Sequence, residues 1–291
     1  MNLELLETLD VTKGYGIVDG FFFPEVALEL LHELRELQSS GLMLPNQVEF
    51  LVGDGNRLVA TKPGIFEADM FDSRFRDFPP MKRFRELFYS DELSQNLPDN
   101  HLLKHSPQDR VLKLQFNDGT GGCFPWHYDN PGAPNKRALT CCVYLNNDWK
   151  EGHGGELLLQ PFLGHEVVIP PLFNRLVVFK SDSMLHRVLP ASHERYCFTL
   201  WVDGHHVNLP EHSAVDLSRV DIRAISMSPS QRIFARAVYD LEFEESLRSC
   251  MSGNEIMIEQ HRMHVEKLHP SLKKLVEVLK SLKGQIYDHD V

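Results

Sequence analysis

The sequence predicts an α+β protein whose central core is a β-sandwich or jelly roll, with helices at both ends. Three observations carry this. Between residues 110 and 203, short segments rich in β-branched and aromatic residues alternate with turn signals, a spacing that suits stacked antiparallel sheets better than βαβ units. Apolar stripes at helical spacing stand before residue 100 and after residue 227. The length of 291 residues, with 42% hydrophobic and 24% charged side chains, suits one elaborated domain with additions at its ends.

The elements follow in chain order. "GYGIVDGFFFPEVALELLHELRELQSSG" reads as a short strand, a turn and a helix. Pro24 suits the first helical position, and Leu30, Leu31, Leu34 and Leu37 form one apolar stripe. Residues 41–70 mix Gly, Pro and β-formers without period, as a hairpin or a mobile loop would. "MKRFRELFYSDELSQNL" (81–97) reads as a second amphipathic helix. The strands of the core are "RVLKLQF", "ALTCCVYLN", "GGELLLQ", "HEVVIP", "RLVVF", "HRVLP" and "YCFTLWVD". Beyond them, "PSQRIFARAVYDLEFEESL" places Ile233, Phe234, Ala237, Val238 and Leu241 on one helical face, and "SLKKLVEVLKSL" does the same with Leu272, Leu275, Leu279 and Leu282. Three regions result: an N-terminal support over 1–100, a catalytic-sized core over 101–210 and a helical extension over 211–291.

Charge and cysteine usage narrow the function. A net charge of −11 disfavours nucleic acid and anionic membrane as partners, since both select a basic face. Five cysteines without C-x-x-C spacing argue against a disulfide scaffold and a thiolate zinc site, and fit a reducing compartment. "MNLELLETLD" lacks the basic start and apolar run of a signal peptide, and no apolar run approaches the ~20 residues of a membrane span. The expectation is a cytoplasmic protein, with the nucleus also open to it; nothing in the sequence bears on oligomeric state.

The chemistry lies in "FPWHYDNPG" (124–132). Side chains two apart in a strand share a face, so His127 and Asp129 can reach one point while Tyr128 turns away. Alone, H-x-D is equally a strand-edge histidine and a turn-capping aspartate. His186 in "SMLHRVLP", at the start of another strand, supplies a third ligand. Two histidines and one carboxylate on one face of an octahedron are the ligand set of non-haem Fe(II) oxygenases. Arg195 on the next strand is the decisive addition, because a chelated dicarboxylate needs a guanidinium fork for its far end. "DGTGG" (118–122) lacks the lysine and helix of a phosphate cradle and reads as a turn. His153, His205 and His206 read as surface residues, Trp126 and Trp201 as packing residues, and Cys141 and Cys142 as core residues on opposite strand faces.

With these residues in place, the block from about 110 to 203 resembles the Fe(II)- and 2-oxoglutarate-dependent dioxygenases. It is most similar to prolyl 4-hydroxylases of the oxygen-sensing type that act on hypoxia-inducible factor. The resemblance is carried by "HYDNP" (127–131), "LTCCVYLNNDW" (139–149), "GGELLLQP" (154–161), "RLVVFKSDSMLHRVLP" (175–190) and "RYCFTLWVDG" (195–204). It implies a double-stranded β-helix in which His127, Asp129 and His186 bind Fe(II). It further implies that Arg195, Tyr144 and Thr199 bind 2-oxoglutarate. O2 would be the second cosubstrate, ascorbate the reductant, and a proline-containing protein or peptide the substrate, hydroxylated with release of succinate and CO2. The alternatives are hydroxylation of another side chain or a small molecule, or a non-catalytic binding module on the same fold. Phe116 stands near where the sensor enzymes have a tyrosine touching the cosubstrate, which implies one hydrogen bond fewer. "GIFEADM" (64–70) departs from the family's substrate loop, and residues 211–291 lack a counterpart in the sensors' catalytic core.

Overall fold

The computed structural model describes the chain except for residues 3, 8–12, 52–56, 71, 73–80, 98–99, 206–220, 227, 252–253, 269 and 286–291. In chain order its elements are α1 (Glu4–Glu7), β1 (Tyr15–Asp19), α2 (Pro24–Ser39), β2 (Leu44–Leu51), β3 (Arg57–Asp69), α3 (Lys82–Tyr89), α4 (Glu92–Asn96), β4 (Arg110–Asp118), β5 (Phe124–His127) and β6 (Arg137–Tyr144). They continue as β7 (Leu157–Gln160), β8 (Val167–Ile169), β9 (Arg175–Lys180), β10 (Leu185–Val188), β11 (Glu194–Asp203), α5 (Ile222–Ser226), α6 (Gln231–Val238), α7 (Asp240–Cys250), α8 (Glu255–Glu266) and α9 (Pro270–Ser281).

The strands form two antiparallel sheets, one of seven in the order β1-β9-β6-β11-β4-β3-β2 and one of four in the order β5-β10-β7-β8. Together they make the double-stranded β-helix that the sequence implied. Alternation along β11 explains how the large sheet serves two sides. Tyr196, Phe198, Leu200 and Val202 face the N-terminal helices and join a core with Leu30, Leu34, Leu37 and Phe84. Arg195, Cys197, Thr199 and Trp201 face the opposite way and line the cavity between the sheets. Each fully buried Leu or Phe of this kind contributes roughly 1.5–3 kcal/mol, so the α2 stripe, all four leucines at 3% exposure or less, fixes the helix to the sheet.

Within residues 41–70, β2 and β3 pair antiparallel, as the hairpin reading of the two open from sequence requires. The segment 81–97 is not one helix: the backbone is extended at Ser90, and Ser90 Oγ and Asp91 start a second short turn. The front of α3 is capped from α2, where the Glu33 carboxylate accepts the backbone N–H groups of Arg83 (2.8 Å) and Phe84 (3.1 Å). The C-terminal stripe is likewise interrupted, at Tyr239, whose backbone leaves helical geometry between α6 and α7. That break rotates the apolar phase, so Phe234, Ala237 and Val238 are buried but Leu241 is 80% exposed and Phe243 takes its place inside. Leu279 is buried and Leu272, Leu275 and Leu282 pack beside it, as their spacing predicts.

The C-terminal helices lie against the small sheet, where Phe162, Leu163, Leu185, Phe234 and Tyr239 share one core. They also brace the segment that carries H-x-D. Ser246 Oγ accepts Trp126 N–H at 3.2 Å, the Tyr128 hydroxyl donates to Gln231 at 3.1 Å, and Arg232 donates to the Asn130 carbonyl at 2.7 Å. Cys123 and Cys250 form a disulfide between the two regions, 127 residues apart in sequence, which corrects the expectation of unpaired cysteines. Odd count and spacing say nothing of such a pair, because folding alone brings the two together. The expected core–extension boundary near 210 falls outside the described residues, as does His206. No helix among the described residues is long and apolar enough to cross a membrane.

Candidate metal centre and cosubstrate pocket

His127 and His186 are cross-strand partners of β5 and β10, directly opposite one another, with ring centroids 4.2 Å apart. Each ring is oriented through Nδ1, His127 against the Pro125 carbonyl (2.8 Å) and His186 against the Met184 carbonyl (3.1 Å). Both Nε2 atoms therefore face Asp129, at 3.6 Å from Oδ1 and Oδ2 respectively. β5 ends at His127, so Asp129 is not held by strand pairing. It is turned inward by donors: Thr140 Oγ1 (2.7 Å) and Trp201 Nε1 (2.9 Å) both give hydrogen bonds to Oδ2. Tyr128 points away into the C-terminal helices, as alternation predicts.

Among the described residues, His127, Asp129 and His186 are the one group able to hold a metal ion, their ligand atoms lying within 4.8 Å of one another. The electrostatics suit a cation. Burial pushes the Asp129 carboxyl up, but His186, His127 and the Trp201 N–H outweigh it and hold the carboxyl well below the usual range. Burial pushes the His186 ring down to about 4, so its nitrogen is free to donate at neutral pH.

Arg195 projects into the same cavity and is 5% exposed. Its Nε donates to the Gly155 carbonyl at 2.9 Å, Nη1 lies 3.1 Å from Cys197 Sγ, and the guanidinium sits 5.0 Å from the centre of the Tyr144 ring. Among the described residues no carboxylate pairs with it. Burying an unpaired guanidinium costs several kcal/mol, so the pocket is built for an anion that arrives from outside. Tyr144 (1% exposed) and Thr199 (4%) line the same cavity, and Cys142 Sγ lies 3.4 Å from the Thr199 hydroxyl. The buried unpaired cation at one end and the metal-capable cluster at the other fit a chelating dicarboxylate bound to an ion.

Three assignments change. Phe116 lies on the far face of the sheet, stacked with Phe66 (6.1 Å) and beside the tilted ring of Tyr196 (5.0 Å), because β4 pairs with β11 in the register Tyr196↔Phe116. Gln115 is the β4 residue that faces the cavity holding Arg195, with Cys197 Sγ 3.5 Å from its Oε1. Cys142 lines the cavity as well as packing against the core around Tyr144 and Phe179, while Cys141 is buried on the other face. Trp201 is more than a packing residue, since its indole holds Asp129; its position on the Arg195 side of an alternating strand was the available signal. Gly155 was also passed over: at φ +76° a Cβ there would stand 2.8 Å from Arg195 Cδ, so glycine is needed beside the guanidinium.

Comparison with known proteins agrees with this geometry. Residues 112–203 match the model of the 2OG-Fe(II) oxygenase superfamily. A prolyl 4-hydroxylase from Phytophthora capsici is 40% identical with a TM-score of 0.80, over 97% of this chain and 92% of that one. A prolyl hydroxylase from Trichoplax adhaerens, solved with a peptide fragment of the hypoxia-inducible factor oxygen degradation domain, is 25% identical with a TM-score of 0.55, over 69% of this chain and 89% of that one. A Pseudomonas putida prolyl-4-hydroxylase shares the fold at 20% identity and a TM-score of 0.55, over 69% of this chain and 98% of that one. The first of these comparisons spans nearly the whole chain, the second and third about two thirds of it. The chain belongs to the 2OG-Fe(II) oxygenase superfamily, within its prolyl 4-hydroxylases.

Proposed function

We propose that this protein hydroxylates a prolyl residue of a protein or peptide, using Fe(II), 2-oxoglutarate and O2 and releasing succinate and CO2. The observation that carries the reading is the cluster of His127, Asp129 and His186 sharing one cavity with a buried Arg195 that no carboxylate among the described residues pairs with. The bound metal with its cosubstrate supplies the oxidising power for the C–H bond, and the protein supplies geometry and charge.

The residues divide that work. His127, Asp129 and His186 hold the ion, their orientation set by the Pro125 and Met184 carbonyls and by Thr140 and Trp201. Arg195 takes the far carboxylate of 2-oxoglutarate, with Tyr144 and Thr199 beside it. Charge closes in the loaded site. A divalent ion, Asp129, a dianionic cosubstrate and Arg195 sum to zero, which permits burial. Tyr144, Leu157 and Val188 give the pocket an apolar lining that keeps the reacting centre from bulk water.

The peptide reading rests on the likeness to prolyl hydroxylases, one of them peptide-bound. Ascorbate as reductant, a cytoplasmic or nuclear setting, and indifference to nucleic acid and membrane belong to the same proposal. So does the division into support, core and extension at 1–100, 101–210 and 211–291, supported by the separate cores on the two sides of the double sheet.

The test is direct. Fe(II) and 2-oxoglutarate added without oxygen give a metal-to-ligand charge-transfer absorption, and its absence from folded protein overturns the metal assignment. Comparison of cellular proteins with and without this enzyme by mass spectrometry reveals prolines that lose a one-oxygen increment; their absence, with the increment lost from another residue type, would move the substrate assignment.

A further inference from the structure

The outer wall of the cavity is built by the hairpin β2–β3 and by β4, and it is charged. Register in the hairpin slips at Asn46: Pro45 pairs with Phe66, yet Gln47 pairs with Thr61, so residues 62–65 bulge opposite a single β2 residue. Bulges near active sites re-aim side chains, and this one turns Lys62 into the cavity that holds the metal cluster. The bulge is seated at Gly64, where φ is +68° and a Cβ would strike Asp118 and Thr120 at 2.6 Å.

Lys62 donates to Asn46 Oδ1 at 2.7 Å and lies 4.3 Å from the centre of the Phe124 ring. Neither partner carries a charge. The carboxylate within this group, Glu67, is already engaged by Lys113 Nζ at 2.9 Å and by Asn46 Nδ2. Lys113 in turn is the β4 partner of Thr199, so the wall is continuous with the cosubstrate pocket. Two ammonium groups against one carboxylate leave the wall with one positive charge over, in a chain whose net charge is −11. Arg137, at the same mouth, stacks on Trp201 at 4.1 Å and donates to the Asp129 carbonyl. Because the loaded inner site is neutral, nothing within it balances this excess.

We propose that Lys62, presented by the bulge and flanked by Lys113 and Glu67, is a specificity-determining residue that reads a side-chain carboxylate adjacent to the target proline. This rests on the prolyl-hydroxylase reading above. The ammonium has donors to spare and a position on the cavity wall next to the metal cluster, where the neighbour of a bound proline must pass. The Lys113–Glu67 pair holds the wall in shape, and burial of the surrounding ammonium groups makes an incoming anion favourable.

The experiment uses the full-length protein and peptides capped at both ends that carry one proline flanked by Glu, Gln or Lys. kcat/KM is read by succinate release and by peptide mass. Affinity is read separately by fluorescence anisotropy, with Mn(II) and an unreactive 2-oxoglutarate analogue in place. The wild-type protein is expected to favour the Glu peptide over Gln by about tenfold, as a hydrogen bond to a charged group would give. Lys62→Met should abolish the preference, and Lys62→Glu should turn it toward the Lys peptide, with thermal melts confirming that both variants fold. Equal use of all three peptides by wild type, or a preference that survives Lys62→Met, overturns the proposal while leaving prolyl hydroxylation standing. A proline peptide ending in a free carboxylate and its amide form the remaining arm: an advantage confined to the terminal carboxylate also overturns it. If no proline peptide is hydroxylated but anisotropy shows the Glu preference, the carboxylate site stands and the reaction assigned to it falls.

Discussion

The Trp201 indole donates its N–H to Asp129 Oδ2 at 2.9 Å, so a residue of the large sheet holds a candidate metal ligand that lies beyond the end of a strand in the small one. Thr140 gives the same oxygen its second donor. Fixing one carboxylate oxygen in this way pre-orients Asp129 before any ion arrives. Trp201→Phe keeps the aromatic bulk and removes the donor. It should weaken metal binding about tenfold or more, measured by titrating Mn(II) into metal-free protein. Thr140→Val should act on the same oxygen, and the double variant should cost less than the sum of the two. Unchanged affinity in both single variants would show that Asp129 is held by the backbone alone.

Arg195 makes a paired prediction about binding and stability. In the metal-free protein its buried charge has no carboxylate partner among the described residues, so Arg195→Met should leave the unliganded fold as stable or more stable, by about 1 kcal/mol or more. The same change should abolish the rise in melting temperature that 2-oxoglutarate gives wild type, and raise the 2-oxoglutarate requirement at least tenfold, on the scale of a lost charge-assisted hydrogen bond. Gly155→Ala should raise that requirement by a different route, since the added methyl would stand 2.8 Å from Arg195 Cδ. A destabilised Arg195→Met protein that still melts higher with 2-oxoglutarate would refute the assignment.

A pH experiment addresses His186. Burial and the neighbouring His127 lower its pKa to about 4, partly offset by Asp129. A histidine with a depressed pKa is already neutral at pH 6, so it has no proton to give up when a metal binds there. Isothermal titration of Mn(II) near pH 6, in buffers of different ionisation enthalpy, should therefore show no proton release attributable to His186. Release approaching two protons per ion would mean that both rings start charged. The sign also applies to folding. Below pH 4 the native ring must be protonated inside the protein, whereas between pH 4 and the ordinary histidine range only the unfolded chain takes the proton; stability contributed by this group therefore rises with pH across that window.

What could be read from sequence was whatever depends on alternation and spacing. His127, Asp129, His186 and Arg195 converge because each sits at an inward position of a strand or just past one, and strand parity is visible in the residues themselves. At Phe116 the difference is one of parity: β4 pairs with β11 so that Gln115 faces the cavity, and one step along a strand puts the next side chain on the other face. The helix breaks at Ser90 and Tyr239 were hidden because an apolar stripe can continue across a change of axis. Lys62 was invisible in another way. Its aim depends on a bulge, set by which β2 residue faces which β3 residue, and nothing in "VATKPGIF" states that pairing.

No spacing rule exposes the pairing of Cys123 with Cys250, which folding alone brings together. The bond joins the start of the segment "CFPWHYD" to the end of α7, against Ala60 of the hairpin and Met251. It therefore ties together the strand bearing His127, the C-terminal extension and the β2–β3 pair that carries Lys62. Closing a loop over 127 residues restricts the unfolded chain strongly, which in the chain-entropy description is worth about 4–5 kcal/mol. The native protein should weigh two hydrogens less than its reduced form and release a crosslinked peptide containing both residues on digestion without reductant. Cys250→Ser should lower the urea midpoint and also weaken Mn(II) binding, because the strand bearing His127 loses one of its anchors. A wild-type protein with five free thiols in an oxidising buffer would reject the pairing. A variant that loses stability but keeps full Mn(II) affinity would limit the bond to the fold and leave Ser246, Gln231 and Arg232 as the supports of the metal segment.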